Sequence, residues 1–99
     1  MTENGIRVVA RLTARADKID VLRSLLLGLL EPTRAESGCI RYELLHNLSD
    51  PADFTFVEEW TGQEALQAHF NTDHLLDARS RFPDLLAAEA DIRTYTLAG

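Results

Sequence analysis

Cysteine, lysine and long apolar runs are scarce in this chain, and each scarcity excludes something. Cys39 is the single cysteine, so no intrachain disulfide can staple the fold. Lys18 is the only lysine, against nine arginines, and the formal net charge is −6. Phosphate binding needs clustered cations, so this balance argues against a nucleic-acid partner. The longest leucine-rich run, VLRSLLLGLL from Val21 to Leu30, is interrupted by Arg23. It falls far short of the roughly 20 residues that span a bilayer. The start, MTENGIRV, has neither the cationic opening nor the apolar stretch of a leader. These absences predict a cytoplasmic protein with no membrane partner. No stretch is low in complexity and no internal repeat is visible.

What is present suits one small domain over residues 1–99, with 45% apolar residues. A chain this short buries only about 60–65% of the surface that its unfolded form exposes. Burial against a partner subunit would add to that.

The pattern of elements is legible. IRVVARLTA, Ile6 to Ala14, alternates with period two, placing Ile6, Val8, Ala10 and Leu12 on one face of a strand. Asp17 to Ala35 reads as a helix with Ile19, Leu22, Leu25, Leu26 and Leu29 as its stripe, widened by Leu27 and Leu30. Pro32 would clash with the carbonyl of Gly28, which predicts a kink there. Gly38 suits the left-handed position that ends a helix. CIRYELLHN and FTFVEEWT, joined by LSDPAD, read as an antiparallel hairpin. Thr61 and Glu64 have the spacing of a capping box for a helix from Gly62 to about Phe70. Asn71 or Thr72 can cap a further helix from Asp73 to Arg81, which Pro83 is expected to break. DIRTYTLA, Asp91 to Ala98, is the last strand. The order β-α-β-β-α-β predicts an α+β, ferredoxin-like sandwich with an antiparallel sheet. Helices would cover one sheet face and leave the other bare. Val9 and Val57 make that bare face partly apolar, which suits packing against a second copy.

The residues that could carry chemistry cluster in EEWTGQEALQAHF, Glu58 to Phe70. His69 sits beside the stripe marked by Leu66 and Phe70 and should look into the seam between helix and sheet. It reads either as a core-edge histidine bonded to backbone or as a general base, since imidazole titrates near neutral pH. Glu58 alternates with Phe54, Phe56 and Trp60. Burial of a lone carboxylate is costly, so it is either raised in pKa or paired with Arg41 or Arg93. Tyr42 and Trp60 could pack in the core or wall a pocket for an aromatic ligand. His74 lies five residues after His69, which is not the spacing that sets two ligands on one helix face. No metal site, Gly-rich phosphate loop or Ser-His-Asp arrangement is expected.

The ordered set RAESGCIRYELL, DPADFTFVEEW and EALQAHFNTDHL resembles the antibiotic biosynthesis monooxygenase family over nearly the whole chain. The matching positions are Glu36, Gly38 and Cys39 with Tyr42, then Asp50 and Pro51, Glu58 and Trp60, Ala68 and His69, and Thr72 and His74. The resemblance implies a homodimeric αβ-barrel with a pocket between helices and sheet. It implies oxidation of quinols or polycyclic phenols by oxygen without a cofactor. His69 would take the phenolic proton, and Glu58 would orient or charge the imidazole. Tyr42, Phe56, Trp60 and Phe82 would stack on the substrate, with Arg79 beside it. Haem-cleaving members carry Trp at the place of His69 and His at the place of Arg79, so haem degradation is not expected here. Two alternatives keep the fold: a non-catalytic dimeric binding module, and an isomerase acting on a phosphorylated ligand with Arg79 and Arg81 as anion contacts. A cavity at His69 smaller than one aromatic ring would rule out the enzyme.

Overall fold

Alternation along the first strand does what its pattern demands. In the computed structural model β1 spans Ile6–Thr13, with Val8, Ala10 and Leu12 buried and Arg7, Val9 and Arg11 on the opposite side. The structure describes residues 5–99; residues 1–4, read above only as lacking a leader, lie outside the described residues.

The long first helix is two helices, α1 (Ile19–Leu27) and α2 (Leu30–Arg34). The kink expected at Gly28 is a break, tightened by a bond from the Leu29 amide to the Leu26 carbonyl at 3.1 Å. Pro32 then falls in the first turn of α2, where helix amides lack intrahelical partners anyway. Leu22, Leu26 and Leu29 are buried, and Ile19, Leu25 and Leu30 pack against them. Leu27 departs from the expected stripe and is 47% exposed.

Gly38 has φ 89°, the left-handed position foreseen for it. A Cβ there would also stand 2.5 Å from Cβ of Ala65 and 2.8 Å from Oγ1 of Thr61. The turn is thus pressed against the helix that carries His69. β2 (Cys39–His46) and β3 (Asp53–Trp60) form the hairpin, with Tyr42 opposite Glu58 and Leu44 opposite Phe56. An irregularity between Cys39 and Arg41 shifts the register, so Ile40 has no partner in the ladder and is exposed. The connecting turn is held by side chains: Asn47 Nδ2 donates to Asp53 at 2.9 Å, and the Ala52 amide donates to Asp50 at 3.0 Å.

Two expectations about helix ends need correction. α3 spans Gln63–Phe70, and its N-cap is Gly62 without a side-chain cap bond, so Thr61 forms no capping box. The Thr61 amide instead donates to the Gly38 carbonyl at 2.9 Å. α4 spans Asp73–Leu85 and runs through Pro83. Pro83 sits in the last turn, where Arg15 stabilises the end: Nη2 donates to the Pro83 carbonyl at 2.8 Å and Nε to Leu86 at 3.1 Å. Thr72 caps α4, accepting from the Leu75 amide, and donates to the His69 carbonyl at 2.8 Å. The final strand, β4 (Asp91–Tyr95), is shorter than expected.

The sheet order is β2-β3-β1-β4 with every neighbouring pair antiparallel, so the fold is the α+β, ferredoxin-like β-α-β-β-α-β arrangement. The core lies between one sheet face and the helices. The bare face carries Val9 and Val57 among ion pairs: Arg11 with Asp53 at 3.2 Å, Arg7 with Glu59 at 3.7 Å, and Arg93 with Asp91 at 2.9 Å. No helix among the described residues is long and apolar enough to cross a membrane.

Candidate functional site

Between the helices and the covered sheet face lies a cavity of about 300 Å³. An aromatic ring fits with room to spare, since a cavity of about 150 Å³ holds benzene. The sheet supplies Tyr42, Phe56 and Glu58, α3 supplies His69 and Phe70, and α4 supplies Arg79 and Phe82. Tyr42 and Phe56 stack on each other with ring centres 4.7 Å apart and planes inclined by 25°.

The strand period explains the placement of Glu58. Phe54, Phe56, Glu58 and Trp60 all face the helices and all are buried. Neither arginine considered as its partner reaches it: Arg41 lies beside Glu43 and Arg93 beside Asp91, both on the bare face. Glu58 has instead one neutral donor, Trp60 Nε1–H, at 2.9 Å from Oε1. Burial pushes its carboxyl up to about 7; the Trp60 bond opposes the shift and the charge of Glu36 adds to it. Near neutrality this group is therefore divided between acid and carboxylate.

Trp60, expected as a pocket wall, is not one. It is fully buried behind the cavity lining, its ring centre 4.6 Å from that of His69. Its role is to back His69 and to bond Glu58. The other aromatic residues named from the sequence, Tyr42, Phe56 and Phe82, do line the cavity, as does Arg79.

His69 is 2% exposed and is held by a carboxylate other than the one foreseen. Its Nδ1 lies 2.9 Å from Oε2 of Glu36, in the turn after α2, and the place expected for Glu58 belongs to that residue. The same oxygen meets Nε2 of His74 at 2.6 Å. A carboxylate only accepts, so both ring nitrogens donate to it, and Nε2 is the His69 nitrogen left for the cavity. Burial holds the His69 pKa below its usual value; the bond and charge of Glu36 oppose this, and nearby His74 adds to it. A neutral ring with a free acceptor nitrogen, its far side bonded to a carboxylate, is the arrangement of a general base. Burial also keeps Tyr42 protonated far above the usual tyrosine range.

Sequence spacing missed Glu36 and His74 as partners. Five residues separate the two histidines, which fails on a single helix. The helix is interrupted between Phe70 and Asp73, so the rings come from two helices and converge on Glu36. The donor atoms of Glu36, His69 and His74 all lie within 4.8 Å of one another. A neighbouring signal was in the sequence: Gly38, two residues after Glu36, allows the close approach to α3.

Known proteins share this framework. The sequence profile of the family described as "Antibiotic biosynthesis monooxygenase" matches residues 5–81. The Mycobacterium tuberculosis protein named "Putative monooxygenase Rv0793" is 35% identical over 81 residues, covering 82% of this chain and 79% of its own length. Its solved structure superposes with a TM-score of 0.92 at 28% identity, over 97% of each chain. The crystal structure of PA3566 from Pseudomonas aeruginosa gives 0.91 at 31% identity over 99% of each. The Synechocystis protein sll1783 is 32% identical over 97% of this chain, which spans 65% of that protein's length. The chain belongs to the antibiotic biosynthesis monooxygenase family.

Proposed function

We propose that the protein oxidises a quinol-like or polycyclic phenol with molecular oxygen, without a cofactor. The observation that carries this reading is the apolar cavity into which a neutral His69 presents a free Nε2. That nitrogen takes the phenolic proton. The phenolate gives an electron to oxygen, and the radical pair joins at a ring carbon bearing hydrogen. Loss of water, using the proton stored on His69, leaves the quinone. One phenol and one oxygen molecule thus become one quinone and one water. Glu36 stabilises the imidazolium, Tyr42 and Phe56 stack on the ring, and Phe82 and Arg79 bound the cavity on the helix side. Protonated Glu58 can donate to a substrate oxygen. Removal of a well-placed base costs typically about 10²–10⁴-fold in rate. The test is oxygen uptake with menadiol, corrected for the rate without protein. A protein-dependent rate that His69→Ala leaves intact would remove His69 from the mechanism.

The same reading includes a homodimer through the bare sheet face. Its arginines and carboxylates alternate around Val9 and Val57, a pattern that a second copy can match. The β4 edge is open as well: all of its residues are exposed, and on the helix side Ile92, which borders the cavity, is 50% exposed. A partner over that edge would close the cavity. Sedimentation at micromolar concentration should show a species of twice 11.1 kDa; the monomer alone would overturn the dimer.

A further inference from the structure

We propose that Glu36, His69 and His74 form a binding site for one divalent transition-metal ion of the Zn²⁺ class. Three ligand atoms converge from three segments: Oε2 from the turn after α2, Nδ1 from α3 and Nε2 from the first turn of α4. Two imidazoles and a carboxylate are a recurring zinc set that leaves a fourth position for water. The nitrogens now stand 2.9 and 2.6 Å from the shared oxygen. Ligands at zinc distances in a tetrahedron are about 3.3 Å apart, so the two N–O pairs must open by about half an ångström and the two nitrogens, which lie within 4.8 Å of each other, must settle at the same spacing. His74 can supply that movement: its side chain is 25% exposed, against 11% for Glu36 and 2% for His69. His74 also borders the surface groove between α1 and α4, which is the route of entry. Nδ1 of His69 faces Glu36 while the ring borders the aromatic cavity on its other side, so the metal would sit on the far side of His69 from the substrate.

The ion replaces the two N–H donors now shared by Oε2. A neutral imidazole bound to a metal through one nitrogen carries its proton on the other. On His69 that nitrogen is Nε2, so the metal-bound ring becomes a donor toward the cavity and can no longer accept a proton there. This consequence rests on the proposed base role, whereas the site itself does not. Binding is therefore measured without substrate, and its failure leaves the oxidation proposal standing.

The experiment titrates the purified protein with Co²⁺, read by visible absorption, and with Zn²⁺, read by calorimetry. One equivalent should bind with micromolar or tighter affinity. His74→Ala should weaken it at least tenfold while thermal unfolding shows the variant folded. His46→Ala, which removes an exposed histidine of the hairpin, should bind as the unaltered protein does. Glu36→Gln, a second variant with nearly the same shape, should also weaken binding. Absence of both Co²⁺ bands and Zn²⁺ heat overturns the site. So does undiminished binding by His74→Ala, or a loss confined to His46→Ala.

Discussion

Glu58 and Glu59 are neighbours in β3 and live in different solvents. Glu58 points under the helices, is 4% exposed and has no cationic partner among the described residues. Glu59 points to the bare face and pairs with Arg7 at 3.7 Å. Asp53, on that bare face too, is held below the usual carboxylate range by its bond to Asn47, with Arg11 helping against some burial. One strand thus carries carboxyl groups shifted in opposite senses, up on the covered face and down on the other. The period-two pleat does this, since a step of one residue exchanges core for surface. A carboxyl group raised toward neutrality, which acid or base chemistry can use, sits on the covered face. Recognition between copies can use the bare one.

The comparison breaks most visibly through packing. Trp60→Ala should cost about 3–5 kcal/mol, because it empties a fully buried site and strips Glu58 of its donor. Val57→Ala, on the opposite face of the same strand, should cost about 1 kcal/mol or less in the monomer. Urea unfolding of the two variants checks the contrast. Equal losses would mean that the two faces are equally buried.

Glu58→Gln tests the electrostatic half. The folded state holds the Glu58 proton up to about pH 7, whereas the unfolded chain releases it near 4.5. Its contribution to stability is therefore full below pH 4.5 and is lost as pH rises through 7. Glutamine keeps the acceptor for Trp60 and removes the ionisation. The variant should match the parent at pH 4 and exceed it by about 3 kcal/mol above pH 7. Asp53 acts in the reverse sense: its contribution is present above its unfolded pKa and fades as pH falls. Denaturant titrations at pH 4, 6 and 8 separate the two. A Glu58→Gln profile parallel to the parent would show that the carboxyl reaches water.

Much of the fold is legible in the sequence. Periodicity placed Ile6 to Leu12, Phe54 to Trp60 and the leucine stripe, because burial of alternate or every third to fourth residue is a local pattern. Gly28 and Gly38 announced the break and the turn through their neighbours. Helix ends were less legible: α4 runs through Pro83 to Leu85, and the carbonyls of Pro83 and Leu86 are bonded by Arg15, far away in sequence. Of the candidate site, His69, Glu58 and four of the five expected lining residues reach the cavity. The link from His69 to Glu36 and His74 spans 33 residues on one side and a helix break on the other. No spacing rule reaches that far.

Gly38→Ala asks how tightly the covered side is built. An added Cβ meets Ala65 and a left-handed backbone together. The backbone alone costs about 1–2 kcal/mol. Either the turn or α3 must then move, so the Glu36 to His69 bond should lengthen. The expected signature is lower thermal stability and a shifted His69 ring ¹⁵N signal. An unchanged ring signal would show that Glu36 is held from elsewhere.

The smallest effect belongs to Glu59→Gln. Its pair with Arg7 is partly exposed, with side chains 24% and 45% accessible. Such pairs contribute about 0–1 kcal/mol, and salt screens them. In dilute monomer the variant should lose no more than that, and the loss should vanish in high salt. The same substitution at concentrations where two copies associate reads a different environment. A face covered by its partner removes water from the pair, and breaking it then leaves Arg7 buried without its partner, which costs several-fold more. A loss that grows with protein concentration would therefore locate the interface on this face. A loss that stays small at every concentration would leave the bare face in solvent and place any association elsewhere.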